Sequence, residues 1–308
     1  VKRPRNPAQL RTEQSNPAAY DLDKKSSLEL VRLINAEDAT VAPAVAHSLP
    51  QIVKAIDEIV AALRRDGRLI YVGAGTSGRI AALDASEIRP TFNTDRVQFI
   101  IAGGAKALAT NSEISEDDVK AARAEMSRRK PNRNDVVLGI AASGRTPFTI
   151  AAVTEARRRG ARTIALTCNR DSPLERAAHF AIVTQVGPEV LAGSTRMKAG
   201  TAHKMVLNMI STAAMARLGY VYGNLMVNVV PKNEKLKQRA VGILERATGA
   251  DQPAAVRALA ASGNRTPVAL VMLAAGLSRS KATAALKHTN GNVREAIAGA
   301  VIVRSRRE

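Results

Sequence analysis

The sequence predicts an α/β protein: a parallel sheet of about five strands covered by helices on both faces, with helices before it and a small helical domain after it. Three observations carry that prediction. Short β-branched and apolar runs alternate with helical patterns through the middle of the chain, the arrangement in which strands lie parallel and buried on both sides. Two of those runs lead into similar loops, Gly73-Ala74-Gly75-Thr76-Ser77-Gly78-Arg79 and Ala141-Ala142-Ser143-Gly144-Arg145-Thr146-Pro147, each opening a helix. Beyond Gly249 the composition shifts to Ala-rich segments punctuated by Gly263, Gly276 and Gly291, a helical appendage without strand patterns.

After an irregular start through Asn16-Pro17, apolar spacing predicts helices over about 27–46 and 49–65, with Pro50 in a first turn. Strands follow at 68–72, 97–102, 136–140, 163–167 and 180–184. Helices are expected between them, at 77–88, 115–127, 146–159 and 173–178, and a longer one at 198–218. Pro90 is expected to end the first of these soon after residue 88. In the appendage, which starts near Asp251, Ser278 and Asn292 are candidate helix caps, and 292–303 has the spacing of a packed helix. The expected domains are an N-terminal helical segment at 1–56, the α/β domain at 57–220, a connecting segment at 221–250 and a helical domain at 251–308.

With 308 residues and 45% apolar content the chain can bury a sizeable core. It has no apolar run of bilayer-spanning length and no apolar stretch of the secretory type near its start, so a cytoplasmic location without a membrane partner is expected. Cys168 stands alone, and His47, His179, His203 and His288 lack metal-ligand spacing; neither a disulfide nor a metal is expected. The net charge of +19 invites a nucleic-acid reading. The cations are scattered, however, with local clusters only at the termini (Lys2, Arg3, Arg5; Arg304, Arg306, Arg307), and 3% aromatic content leaves few stacking platforms. No specific nucleic-acid partner is expected.

The loops point to an anionic small molecule. Small residues let backbone N–H groups approach a ligand, Thr76, Ser77, Ser143 and Thr146 bring hydroxyl donors, and helix N-termini favour negative charge. A phosphorylated metabolite meets these needs. The first loop matches Gly-x-Gly-x-x-Gly, but the second strand ends Ile101-Ala102-Gly103-Gly104 without the carboxylate that holds a dinucleotide ribose, and Asp95 precedes that strand. No Lys-Ser or Lys-Thr closes either loop as in a nucleotide-hydrolysing P-loop. One such loop alone reads equally as an ordinary capped turn or a ligand loop; two, with Gly193-Ser194-Thr195-Arg196-Met197-Lys198 opening another helix, suggest a convergent site. The candidate ligand residues are Thr76, Ser77, Gly78 and Arg79, then Ser143, Gly144, Arg145 and Thr146, then Ser194, Thr195 and Lys198. Each of the cations Arg79, Arg145, Arg196 and Lys198 fits a ligand contact or a solvated helix start equally. His203 fits the site or the core. Glu87 lies ten residues beyond Ser77, and Glu116 lies in Ser112-Glu113-Ile114-Ser115-Glu116-Asp117-Asp118. By position alone they read as a surface residue and a helix-start residue.

In order along the chain, Thr12-Glu13-Gln14-Ser15-Asn16-Pro17, Leu22-Asp23, the first loop, Leu83-Asp84-Ala85-Ser86-Glu87, the second loop, 193–202 and Asn224-Leu225-Met226-Val227 resemble the N-acetylmuramic acid 6-phosphate etherase family. The resemblance runs to about Ala247. It implies a Rossmann-like three-layer sandwich, the sugar isomerase (SIS) domain, in a homodimer with helical C-terminal extensions. It also implies cleavage of the D-lactyl ether of a phosphosugar, by proton abstraction, lactate loss and water addition, with no cofactor or metal. Glu87 matches the family's acid–base Glu that donates a proton. Glu116 matches the second, catalytic Glu of a Val-Glu-Gly-Ala-Glu-Asp stretch and is implied as its partner, with the two roles open to sharing or exchange. The chain departs from that stretch in Ser112 and Ile114, the latter standing where the family has Gly, and Asn228 replaces an Asp. A sugar-sensing regulator or an aldose–ketose isomerase on the same scaffold are the alternatives; retention of both glutamates argues against the regulator.

Overall fold

Five apolar runs form the strands of one parallel sheet: β1 (Leu69–Gly73), β2 (Val97–Ile101), β3 (Val136–Ile140), β4 (Arg162–Thr167) and β5 (Phe180–Val183), in the order β2-β1-β3-β4-β5. Every residue of β1 and β3 is buried, which is why these runs read as continuously apolar. The computed structural model describes residues 10–110 and 113–305. Lys2, Arg3, Arg5, Ser112, Arg306 and Arg307 lie outside them. The chain divides into two compact units, Val1–Ser86 with Arg96–Ser211, and Glu87–Asp95 with Thr212–Glu308.

The first unit holds the sheet. Before it come α1 (Ser27–Asp38), α2 (Val41–Ala46) and α3 (Leu49–Arg64); α4 (Gly75–Phe92) follows β1, α5 (Val119–Arg129) follows β2, α6 (Pro147–Arg158) follows β3, α7 (Pro173–Ala177) follows β4, and α8 (Lys198–Arg217) follows β5, with the last parts of α4 and α8 belonging to the second unit. α3 buries Ile52, Ala55, Ile56, Ile59, Val60 and Leu63, the single stripe that its 3.6-residue spacing encodes. The sheet's core joins Ile70, Val72, Ile100 and Val137 to Met126, Phe148, Val153 and Leu174. Each fully buried aliphatic side chain there contributes about 1.5–3 kcal/mol.

Three expected helix limits are corrected. The helix expected over 27–46 is broken between Asp38 and Val41, because the Pro43 ring clashes with the carbonyl four residues back, at Ala39. α4 passes through Pro90 instead of ending before it; the last turn loses one N–H donor, and Asn93, with φ 54°, ends the helix while its N–H donates to the Arg89 carbonyl. The helix expected from residue 115 starts at Val119, where the Asp118 side chain accepts from Ala121 N–H, and 113–117 form a 3-10 turn.

The second unit contains α9 (Glu234–Thr248), α10 (Gln252–Ala261), α11 (Thr266–Ala275), α12 (Arg279–His288) and α13 (Val293–Ser305). They share one core with Val227 and Val229: Ile243, Leu244, Leu259, Val268, Leu270, Leu286 and Val293. α9, placed in a connecting segment by composition, is packed into that core. Asp251 and Ser278 cap α10 and α12, and Asn292 Oδ1 accepts from Glu295 N–H. Among the described residues no helix is long and apolar enough to cross a membrane.

Candidate functional site

β1 and β3 are neighbours, yet the chain leaves β1 toward β2 and β3 toward β4. Their following segments therefore part to opposite sides at the strands' C-terminal ends, the position where open α/β sheets bind ligands. The two hydroxyl-rich loops start there side by side, from the paired residues Gly73 and Ile140. Gly78 folds back so closely that a Cβ on it would lie 2.9 Å from the Gly73 carbonyl oxygen and 2.6 Å from Ile101 Cγ1. Only glycine fits that approach.

Ser77 is nearly buried, and its Oγ lies 3.4 Å from His203 Nδ1 on α8. Thr76 Cγ2 would meet a Cβ on Gly200 at 3.5 Å, which packs the first loop against the start of α8. In the second loop Gly144 takes a left-handed φ of 68°, and Ser143 Oγ accepts from Arg145 N–H at 3.2 Å, which leaves the hydroxyl proton to donate elsewhere. Thr146 N-caps α6 with an extended-type ψ, without a side-chain cap bond. Ser194 and Thr195 are half-buried in the turn before α8, and Gly193 there lies beside Glu13.

Glu116 comes to this place from the 3-10 turn after β2: a Cβ on Gly75 would lie 2.8 Å from its Oε1. The carboxylate thus overhangs the first loop. Ile114, two residues earlier, is 93% exposed and takes a 3-10 conformation, so its bulk neither crowds the packing nor demands the backbone freedom of glycine. Glu87 stands on the last part of α4, in the second unit, where its carbonyl accepts from Thr91 Oγ1.

Several cations have structural partners. Arg79 donates from Nε to the Ala107 carbonyl and from Nη2 to that of Thr110, both at 2.9 Å, tying α4 to the turn after β2. Lys198 is buried and ion-paired with Glu37 of α1. Burial works against Glu37's charge, but bonds from Lys198 and Asn16 outweigh it and hold the carboxyl below its usual range. At the same helix start, the fully buried Glu189 accepts from Lys198 N–H at 2.9 Å and Ala199 N–H at 3.0 Å. An internal carboxylate therefore already caps α8.

Sequence reasoning missed four of the residues that build this site. Glu189 caps α8 and Glu37 holds Lys198. Asn169 donates to the Ala142 carbonyl at 3.0 Å and to Thr12 Oγ1 at 3.1 Å, fastening the N-terminal segment to the second loop. Asp84 is buried on α4 and accepts from Tyr71 Oη at 3.0 Å and Ser211 Oγ at 3.2 Å; burial raises its pKa against those bonds and the Lys204 charge. Asp84 belongs to Leu83-Asp84-Ala85-Ser86-Glu87, but a lone Asp on a helix carries no signal of its partners. Behind Ser77, burial lowers His203 to about 4 and raises Cys168 to about 12, so at neutral pH both are uncharged.

Comparison with known proteins sets this geometry in a family. Residues 51–156 match the glucokinase regulatory protein N-terminal SIS domain, and residues 112–213 match the SIS domain. An N-acetylmuramic acid 6-phosphate etherase of Edwardsiella ictaluri is 50% identical over 94% of this chain and 97% of its own length. Another, of Symbiobacterium thermophilum, is 54% identical over 87% of this chain and 90% of its own. Among solved structures, a phosphoheptose isomerase from Francisella tularensis is 19% identical, with a TM-score of 0.50, over 62% of this chain and all of its own; that likeness is one of fold.

Proposed function

The chain belongs to the N-acetylmuramic acid 6-phosphate etherase family, and we propose that Glu87 and Glu116 carry its reaction while the hydroxyl loops bind the phosphate. The enzyme is a carbon–oxygen lyase of cell-wall sugar recycling, converting N-acetylmuramic acid 6-phosphate and water to N-acetylglucosamine 6-phosphate and D-lactate. The observation that supports Glu116 is its carboxylate over Gly75, in the loop that also presents Thr76 and Ser77; the assignment of Glu87 follows from the family's motif Leu83-Asp84-Ala85-Ser86-Glu87. The regulator and isomerase readings are not favoured.

An unactivated ether resists hydrolysis, so the chemistry uses the sugar's own carbonyl. Ring opening exposes the C1 aldehyde and acidifies the C2 proton. A base takes that proton, the C3–O bond breaks as the ether oxygen is protonated, and D-lactate departs from the unsaturated aldehyde. Water then adds at C3 and a proton returns to C2. Two positioned carboxyl groups suffice for these transfers. Glu87 acts at the ether oxygen, and Glu116 is its partner in moving the C2 proton. Ser77, Ser143, Ser194 and Thr195 donate to the phosphate, with Thr76, Gly78, Gly144 and Thr146 lining it. Arg145 and Arg196 are assigned to the phosphate or the lactyl carboxylate; Arg79 and Lys198 bond to the Ala107 and Thr110 carbonyls and to Glu37 and hold the surrounding loops.

The same reading takes the enzyme to be a homodimer. α1 supports this: none of its residues is buried, and Leu28 and Val31 are more than half exposed. A cytoplasmic setting goes with a substrate whose phosphate charge keeps it from crossing membranes. Incubating the purified protein with N-acetylmuramic acid 6-phosphate and assaying D-lactate tests the function. Release of lactate with N-acetylglucosamine 6-phosphate is expected; a changed sugar carbonyl without lactate, or binding without turnover, contradicts it.

A further inference from the structure

We propose that His203 is a positioning residue for the phosphate subsite, its ring donating from Nδ1 to Ser77 Oγ so that the serine hydroxyl is free to donate to the bound phosphate. The inference rests on Ser77 being a phosphate ligand, as proposed above. His203 lies in a buried row of groups that runs inward from the first loop: Ser77 Oγ to His203 Nδ1 at 3.4 Å, His203 Nε2 to Cys168 Sγ at 3.7 Å, and Cys168 Sγ to Thr184 Oγ1 at 3.5 Å. His203, Cys168 and Thr184 are each at most 1% exposed, so water does not substitute for any member.

A neutral ring carries one N–H, which leaves two proton arrangements along this row. In one, Ser77 donates inward to Nδ1, Nε2–H donates to the sulfur, and the hydroxyl has no proton for a ligand. In the other, Cys168 S–H donates to Nε2, Nδ1–H donates to Ser77 Oγ, and the serine proton points outward. A phosphate oxygen accepts and does not donate at neutral pH, so it selects the second arrangement. Burial keeps the ring uncharged and the thiol protonated, which supplies the S–H that this arrangement needs. Without a donor at position 203, Ser77 Oγ has no inner partner to fix its rotamer, and its hydroxyl is less well aimed at the phosphate.

The experiment uses the full chain labelled with ¹⁵N-histidine and the product N-acetylglucosamine 6-phosphate as probe, with the His203 signal identified by its loss in His203→Gln. In the complex, the Nδ1–H tautomer is expected. Affinity is read in parallel for Ser77→Ala, His203→Leu, His203→Gln and the Ser77→Ala/His203→Leu pair. His203→Leu should raise Kd about tenfold; the glutamine, whose amide donates to Ser77 while its oxygen accepts from Cys168, should restore most of that. In the Ser77→Ala background the leucine should cost nothing more. An Nε2–H tautomer in the complex, an unchanged Kd for a folded His203→Leu, or costs that add in the double variant would overturn the proposal. If His203→Leu does not fold, the tautomer in wild type decides. If Ser77→Ala itself leaves Kd unchanged, the phosphate assignment of the first loop falls, and this inference with it.

Discussion

Ser143 stands at the end of a central strand with one lone pair occupied by the Arg145 N–H, so its hydroxyl proton has a fixed arc in which to find an acceptor. If that acceptor is the phosphate, Ser143→Ala raises the Kd of the product about fivefold or more, the worth of one ligand hydrogen bond of about 1 kcal/mol, as titration calorimetry would read. Unchanged affinity would remove Ser143 from the subsite. At this scale the placing of the two hydroxyl-rich loops side by side was legible, because each follows a buried strand and opens a helix. The cations were less legible. Lys198 reads as a ligand for an anion, yet its partner Glu37 lies 161 residues away, and no local pattern announces a pairing made only by the fold. His203 is the same case: its buried row was invisible until α8 met the ends of β1 and β4.

Elements bring the residues to their stations. Gly75, with φ 51°, leaves room for the Glu116 carboxylate where any side chain would stand. Gly75→Ala should therefore displace Glu116 and lower kcat about a hundredfold, the usual scale for a misplaced reacting group, while the thermal midpoint falls only a few degrees. Retained kcat would show that Glu116 does not need this seat. Glu189 does for α8 what a capping residue does, but from nine residues upstream and wholly buried. Glu189→Ala leaves the Lys198 and Ala199 donors without an acceptor and should cost about 2 kcal/mol or more in chemical denaturation; a loss below about 0.5 kcal/mol would contradict the cap. The strands and the order of the helices were legible from periodicity, since buried parallel strands and amphipathic helices repeat differently. The helix ends were less so: the effect of Pro43 reaches back a full turn, and Asp118, hidden in an acidic run, is the residue that starts α5.

Across the first unit, cations scattered in sequence gather at the end of the sheet away from the loops. Helix C-termini and strand N-termini meet there: Arg68 donates to the Arg129 and Lys130 carbonyls and to Asp135, Arg96 to the Leu63 carbonyl and Asp66, and Arg159 to Ser127 and Glu155. Cations beside helix C-termini complement the helix dipole, and these three also pair with Asp135, Asp66 and Glu155. The buried His203 also couples this unit's stability to pH. Unfolded histidine protonates near 6.5, whereas the native ring does so only at about 4. The unfolded state binds the extra proton between those values, so stability present above pH 6.5 is lost as pH falls toward 4, by about 1.4 kcal/mol per pH unit at most. Urea unfolding at pH 7, 6 and 5 should show a steeper acid loss for wild type than for His203→Gln; equal slopes would contradict a neutral buried ring. The central claim, that Glu87 and Glu116 serve one sugar, is tested most directly by turnover of N-acetylmuramic acid 6-phosphate in ¹⁸O-water by wild type, Glu87→Gln and Glu116→Gln. Wild type should place the heavy oxygen on the sugar and none in lactate, and each variant should bind the substrate yet release lactate at least about a hundredfold more slowly. Label in the lactate, or wild-type release by either variant, would contradict the account.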